Sequence, residues 1–187
     1  MIKVDIFSGF LGAGKTLLIK KMIEENFYDE KIAVIENEFG EVSIDGAVLR
    51  KTNTIVKEIN AGCICCQVKG DFKESILEVL ENYDVERILI EPTGIAKLSE
   101  IKSVLKDNEF KDRLIIDNLI SVVDGIKFKL YLNNFKAFFA DQIRNANIIV
   151  LSRTQNLSDN CIEDIKTEIK RINGKAEIIS KNWYEVN

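Results

Sequence analysis

The chain has 187 residues, 46% hydrophobic and 30% charged, with a net charge of −4. This balance excludes a disordered chain and a broad cationic nucleic-acid surface. The absence of any run of about 18 apolar residues excludes a membrane-spanning helix. The length suits a single domain over residues 1–187, large enough to bury a core without disulfides. The N-terminus lacks the pattern of a signal peptide, so a cytoplasmic location with reduced thiols is expected.

In chain order, the first apolar run is Ile2–Phe7. It is nearly continuous, as a strand covered on both faces should be. It runs into Gly9-Phe10-Leu11-Gly12-Ala13-Gly14-Lys15-Thr16, and a helical pattern follows from Leu17 to Phe27. This is G-x-x-x-x-G-K-T in strand–loop–helix context, the arrangement that cradles phosphate. Backbone N–H groups of Gly9, Gly12, Ala13 and Gly14 would point at the anion, aided by the helix N-terminus. Lys15 would reach the β- and γ-phosphates, and the Thr16 hydroxyl would bind Mg²⁺.

A second strand, Ile32–Ile35, leads into four carboxylates within residues 36–45: Glu36, Glu38, Glu41 and Asp45. A loop leaving the C-terminal end of a strand is where open α/β sheets bind ligands. A nucleotide-sensing switch is therefore expected there, against the plainer alternative of a solvated surface turn. Glu41 is the first choice for orienting an attacking water.

After a third strand, Thr54–Ile59, come Gly62-Cys63-Ile64-Cys65-Cys66. Thiolates are soft ligands suited to late transition metals. Two or three of them with an oxygen would form an open, exchangeable site, unlike a closed structural zinc centre. A redox pair and simple packing are the alternatives. The chain contains no histidine to complete such a shell.

The spacing of Phe72, Ile76, Val79 and Leu80 predicts a helix, with Asp71 and Glu74 as its capping box. Ile88–Ile90 then ends in Glu91-Pro92-Thr93-Gly94. Glu91 is placed to serve Mg²⁺, and the Gly94 N–H to meet the γ-phosphate. Strands are expected at Leu119–Val123, Ile148–Leu151 and Ala176–Ile179. A helix carrying Ile162, Ile165, Ile169 and Ile172 should stop at Gly174, with Cys161 packing at its start. Alternating β and α units imply an α/β fold: a mostly parallel sheet with helices on both faces.

The phosphate loop, Glu36-Asn37-Glu38-Phe39-Gly40-Glu41, the Cys-x-Cys-Cys run and Glu91-x-x-Gly94 together resemble the CobW family of P-loop GTPases. That group also includes the urease and hydrogenase nickel-insertion GTPases and the methylmalonyl-CoA mutase chaperone. The resemblance implies a P-loop NTPase fold and slow, Mg²⁺-dependent GTP hydrolysis. It also implies delivery of Zn²⁺ or Co²⁺, in one branch linked to cobalamin biosynthesis, to a client metalloprotein or cofactor-assembly protein. Glu36, Cys65 and Cys66 would contact the metal, with Cys63 and Glu38 beside them. A homodimer across the nucleotide would fit the group; nucleic acid and membrane partners would not. The family's C-terminal domain is expected to be absent. Where the family carries Asn-Lys-x-Asp to read guanine, this chain has Ser152-Arg153-Thr154-Gln155. Arg153 and Gln155 would then meet the base, with weak preference for GTP over ATP. A nucleotide-dependent binding module with vestigial hydrolysis is the rival function. A small-molecule kinase would need an arginine-rich lid, and the arginines here are scattered.

Overall fold

The computed structural model describes residues 1–36, 54–58 and 68–183, with backbone alone at 54–58 and 68–71. The strands are β1 (Ile2–Gly9), β2 (Ile32–Glu36), β3 (Thr54–Glu58), β4 (Arg87–Glu91), β5 (Leu114–Asp124), β6 (Ile148–Ser152) and β7 (Glu177–Ile179). They form one seven-stranded sheet in the order β3-β2-β4-β1-β5-β6-β7. Every pairing is parallel. The helices are α1 (Lys15–Glu24), α2 (Val68–Asn82), α3 (Leu98–Leu105), α4 (Phe128–Asn134), α5 (Lys136–Asn145) and α6 (Asp159–Ile172).

The near-continuous apolar runs are explained by burial on both faces, and all five residues of β2 and of β4 are buried. Successive residues of β1 feed opposite cores, as a pleated strand requires. Val4 and Ile6 join the layer that contains Phe72 and Ile76 of α2, Leu98 of α3, Phe139 of α5 and Ile165 of α6. Phe7 joins the opposite layer with Leu18, Ile19 and Ile23 of α1 and with Trp183. The Trp183 indole N–H donates to the Leu151 carbonyl at 3.0 Å.

The chain builds outward from β1 to β2 and β3, returns to β4, and then crosses to β5, β6 and β7. The connections leave the C-terminal ends of the adjacent strands β1 and β4 in opposite directions along the sheet, which places a crevice there. Open α/β sheets bind ligands at such a switch point.

Helix starts depart from the sequence reading. The second helix begins at Val68, so Asp71 lies inside it and its pairing with Glu74 is not the N-terminal capping box. The last helix begins at Asp159, where the Ser158 hydroxyl accepts from the Cys161 N–H and caps the first turn. Cys161 packs partly buried against the larger core, as expected. The helices α3, α4 and α5 had no counterpart in the expected elements.

One buried charge network sits far from the crevice. Asp5 is fully buried in β1, and Arg87 at the start of β4 is 6% exposed. Arg87 pairs with Asp5 at 2.7 Å and Asp117 at 2.9 Å, and also with Glu30. Tyr28 donates to Asp5 at 2.9 Å, and Asn118 does so at 2.8 Å. Burial and the Asp5 charge hold the Tyr28 phenol in its neutral form, far above its ordinary range. Bonds from Arg87 and Lys3 hold the Glu30 carboxyl below its ordinary range. Among the described residues no helix is long and apolar enough to cross a membrane.

Candidate functional site at the phosphate loop

The loop from Gly9 to Thr16 occupies the crevice. Gly9 closes β1 where a Cβ would run into the Val122 carbonyl oxygen of β5. Gly12 and Gly14 hold φ of 68° and 102°, backbone angles that favour glycine, and so curl the chain over the start of α1. Gly14 is the N-cap of α1 and no side chain caps it. A helix N-terminus without a side-chain cap is suited to face an anion. Phe10 points into the core against Tyr131 and Phe135, with ring centroids 4.5 and 4.9 Å away. Ala13 is buried, and its N–H, expected to point at an anion, instead closes a turn onto the Phe10 carbonyl at 3.1 Å.

Lys15, Thr16 and Glu91 come together from two elements. The Thr16 hydroxyl donates to Glu91 Oε1 at 2.8 Å, and Lys15 Nζ lies 3.8 Å from the same oxygen. Lys15 is 4% exposed and Glu91 1%. A hydroxyl beside a buried carboxylate is an oxygen donor set of the kind Mg²⁺ takes, alongside water and phosphate oxygens. Glu36, also buried, ends β2 in direct register with Glu91 on β4. Neighbouring strands lie about 4.8 Å apart, so the two glutamates share one edge of the crevice. The β3 backbone continues the row at Glu58, in register with Glu36.

Gly94 packs on the loop. A Cβ there would meet the Leu11 backbone nitrogen at 2.5 Å and its Cα at 2.8 Å. Beneath it, the buried Gln142 amide donates to the carbonyls of Gly94 at 3.0 Å and Ala96 at 2.9 Å. Sequence reasoning missed Gln142, because no local pattern marks a lone polar residue on a short helix.

The opposite flank holds Asp124, Arg153 and Gln155. Asp124 ends β5, 1% exposed, and accepts from the N–H groups of Ile126 at 3.0 Å and Lys127 at 3.2 Å. Its other oxygen pairs with Arg153, which donates across to the Gly12 carbonyl at 2.9 Å. Arg153 itself holds φ of 59°. Gln155 lies exposed on a short 3₁₀ turn, Thr154–Asn156. Asp124 was also missed, although an acidic residue closing an apolar strand before Gly125 is the signal that singled out Glu91.

Glu38, Glu41, Cys63, Cys65 and Cys66 lie outside the described residues. Among the described residues, no three His, Cys, Asp or Glu side chains cluster as a metal site.

A central strand, a glycine-turned loop, a helix N-terminus and a strand-end carboxylate on the loop threonine define a P-loop nucleotide-binding fold. Residues 3–180 match the family described as CobW/HypB/UreG, nucleotide-binding domain, and the chain belongs to that family. Among curated relatives it is similar to the zinc chaperone YjiA of Escherichia coli (strain K12), 34% identical over 183 residues. It is also similar to the zinc chaperone YeiR of the same organism, 30% identical over 190 residues. These alignments cover 95% and 100% of the chain but only 56% and 57% of the relatives, so the chain spans little more than half their length. A solved structure of the Zn(II)-bound YjiA GTPase superposes with a TM-score of 0.73 at 27% identity, covering 100% of this chain and 59% of that one. The hydrogenase maturation factor HypB of Archaeoglobus fulgidus shares the fold, with a TM-score of 0.68 at 20% identity over 98% of this chain and 82% of that one.

Proposed function

We propose that this chain is the nucleotide-binding unit of a metallochaperone GTPase. It binds a nucleoside triphosphate, GTP in the family reading, and hydrolyses it slowly. It couples that cycle to holding and releasing Zn²⁺ or Co²⁺ for a client metalloprotein or cofactor-assembly protein. Lys15 and the loop N–H groups neutralise the phosphate chain, and Thr16 and Glu91 hold Mg²⁺. Mg²⁺, when bound, supplies charge neutralisation on the phosphate oxygens. Glu41 orients the attacking water. Glu36, Cys65 and Cys66, with Cys63 and Glu38 nearby, hold the transition metal as cargo, their thiolates selecting a soft ion.

The observation that carries this reading is the register of Glu36 with Glu91. Glu91 touches the loop through Thr16 and Lys15. Glu36 is the only expected cargo ligand among the described residues, and it sits one strand away. A change at the phosphates therefore needs to travel only one strand spacing to reach the cargo metal. The curated relatives named above are zinc chaperones, which supports the choice of cargo.

The test is a Co²⁺ or Zn²⁺ titration of the protein loaded with a non-hydrolysable GTP analogue or with GDP, each with Mg²⁺. The triphosphate form should bind the transition metal more tightly, on the order of 5- to 150-fold, and by linkage the metal should tighten triphosphate binding equally. The Cys65→Ser, Cys66→Ser double variant should lose the tight site. Equal metal affinity in the two nucleotide states would refute the coupling.

A further inference from the structure

The crevice has two unlike flanks. On the β4–β2 side stand the buried carboxylates Glu91 and Glu36. On the β5–β6 side stand Asp124, Arg153 and Gln155. The segment Ser152–Gln155, which stands where the family reads its base, lies on the second flank, so in this reading the nucleoside of a bound triphosphate lies over that flank.

The side chains of that second flank are nearly all committed. Ser152 is fully buried and Thr154 is 5% exposed. Arg153 bonds Asp124 through one terminal nitrogen and the Gly12 carbonyl through the other. The guanidinium is thus tied across to the loop, and its planar face is the part that would meet a base in this reading. A face supports stacking, and stacking does not tell one purine from another. Gln155, exposed on the 3₁₀ turn and without a side-chain hydrogen bond among the described residues, has a carboxamide available beside it.

A carboxamide carries one acceptor and one NH₂ donor on neighbouring atoms. It can donate to guanine O6 and accept from guanine N1–H. Rotated by half a turn, it can donate to adenine N1 and accept from the adenine amine. A carboxylate at this position would be different, because it can only accept, and guanine alone presents two adjacent donors.

We propose that this chain takes purine nucleoside triphosphates without strong discrimination between guanine and adenine, with Arg153 as the stacking platform and Gln155 as the ambivalent edge reader. The inference rests on the triphosphate reading above and sharpens its substrate class. Gln155 is exposed and outside the core, so its substitution leaves the fold intact.

The experiment displaces a fluorescent GTP analogue from the protein with unlabelled GTP and with ATP, each with Mg²⁺. In the natural sequence the two dissociation constants should agree within about tenfold, less than a full set of base-specific pairs gives. Gln155→Asp should shift the ratio toward GTP by roughly 5- to 150-fold, the worth of one good bidentate pair. Gln155→Ala should weaken both nucleotides alike. A GTP preference above about tenfold in the natural sequence, or a ratio unmoved by Gln155→Asp, overturns this inference while leaving triphosphate binding standing. Failure to bind the analogue or either triphosphate overturns the triphosphate reading, and this inference with it.

Discussion

Gly94→Ala is a one-carbon change whose consequence follows from distances. The added Cβ would start 2.5 Å from the Leu11 nitrogen and 2.8 Å from the Leu11 Cα, both backbone atoms that cannot rotate away. Ordinary contact begins near 3.4 Å, so the turn and the phosphate loop must separate by about 1 Å. The turn cannot easily recoil, because Gln142 holds the carbonyls of Gly94 and Ala96 from below. Overpacking of this kind costs about 1–3 kcal/mol. For a chain of this length that lowers Tm by roughly 2–12 °C. The loop takes the rest of the strain, and moving its N–H groups by about 1 Å from a bound phosphate takes them out of hydrogen-bond range and weakens triphosphate binding. Thermal melting of the nucleotide-free protein and a triphosphate titration read the two effects separately. Native Tm together with native affinity would show that Gly94 does not abut the loop.

Two further predictions concern the charge network at the far end of the sheet. Arg87→Ala leaves the fully buried Asp5 carboxylate without its cation, and breaking a buried pair from one side costs about 3–5 kcal/mol. Urea unfolding should show it as a lower midpoint, and a loss below about 1 kcal/mol would mean that Asp5 is not relying on Arg87. Stability should also fall in acid. Glu30 is held below its ordinary value of 4.5 by bonds from Arg87 and Lys3. Its contribution is complete above that value and is lost as pH drops through the lowered folded value. Melting curves from pH 6 down should steepen below about pH 4.5, and Glu30→Gln should flatten that part of the profile; an unchanged profile would remove Glu30 from the account.

The central strands were legible because burial on both faces writes itself into the sequence as β-branched runs; each of the seven expected runs overlaps a strand, with Ala176 just before β7 and Ile59 outside the described residues. The phosphate loop was legible because its glycines, lysine and threonine are neighbours in the chain. What escaped reading is what the fold assembles from distant positions. Arg153 and Gly12 are 141 residues apart, and Gln142 and Gly94 are 48 apart. The helices α4 and α5 escaped because they are only 7 and 10 residues long with a single residue, Phe135, between them. Their aromatic residues pack on Phe10 and hold the phosphate loop from inside. The misplaced start of α2 has a local cause: a D-x-x-E pair inside a helix looks the same in sequence as one at its beginning.

The two flanks of the crevice divide the labour in the proposed cycle. Glu91 reaches the loop through Thr16 and Lys15, the residues proposed to meet the phosphates and their cation, and Glu36 stands beside it. Arg153 reaches the loop through the Gly12 carbonyl from the other side and ties it to Asp124. Hydrolysis removes the terminal phosphate and leaves the base in place. The flank that changes between the triphosphate and diphosphate states is therefore the carboxylate flank, where a cargo metal would sit. The nucleoside flank serves affinity and stays constant through the cycle. A site that reads the phosphate chain on one side and holds a purine by stacking and an ambivalent amide on the other can relax its choice of base without losing its control over metal. That separation is the physical reason an amide at position 155 is compatible with the proposed cycle.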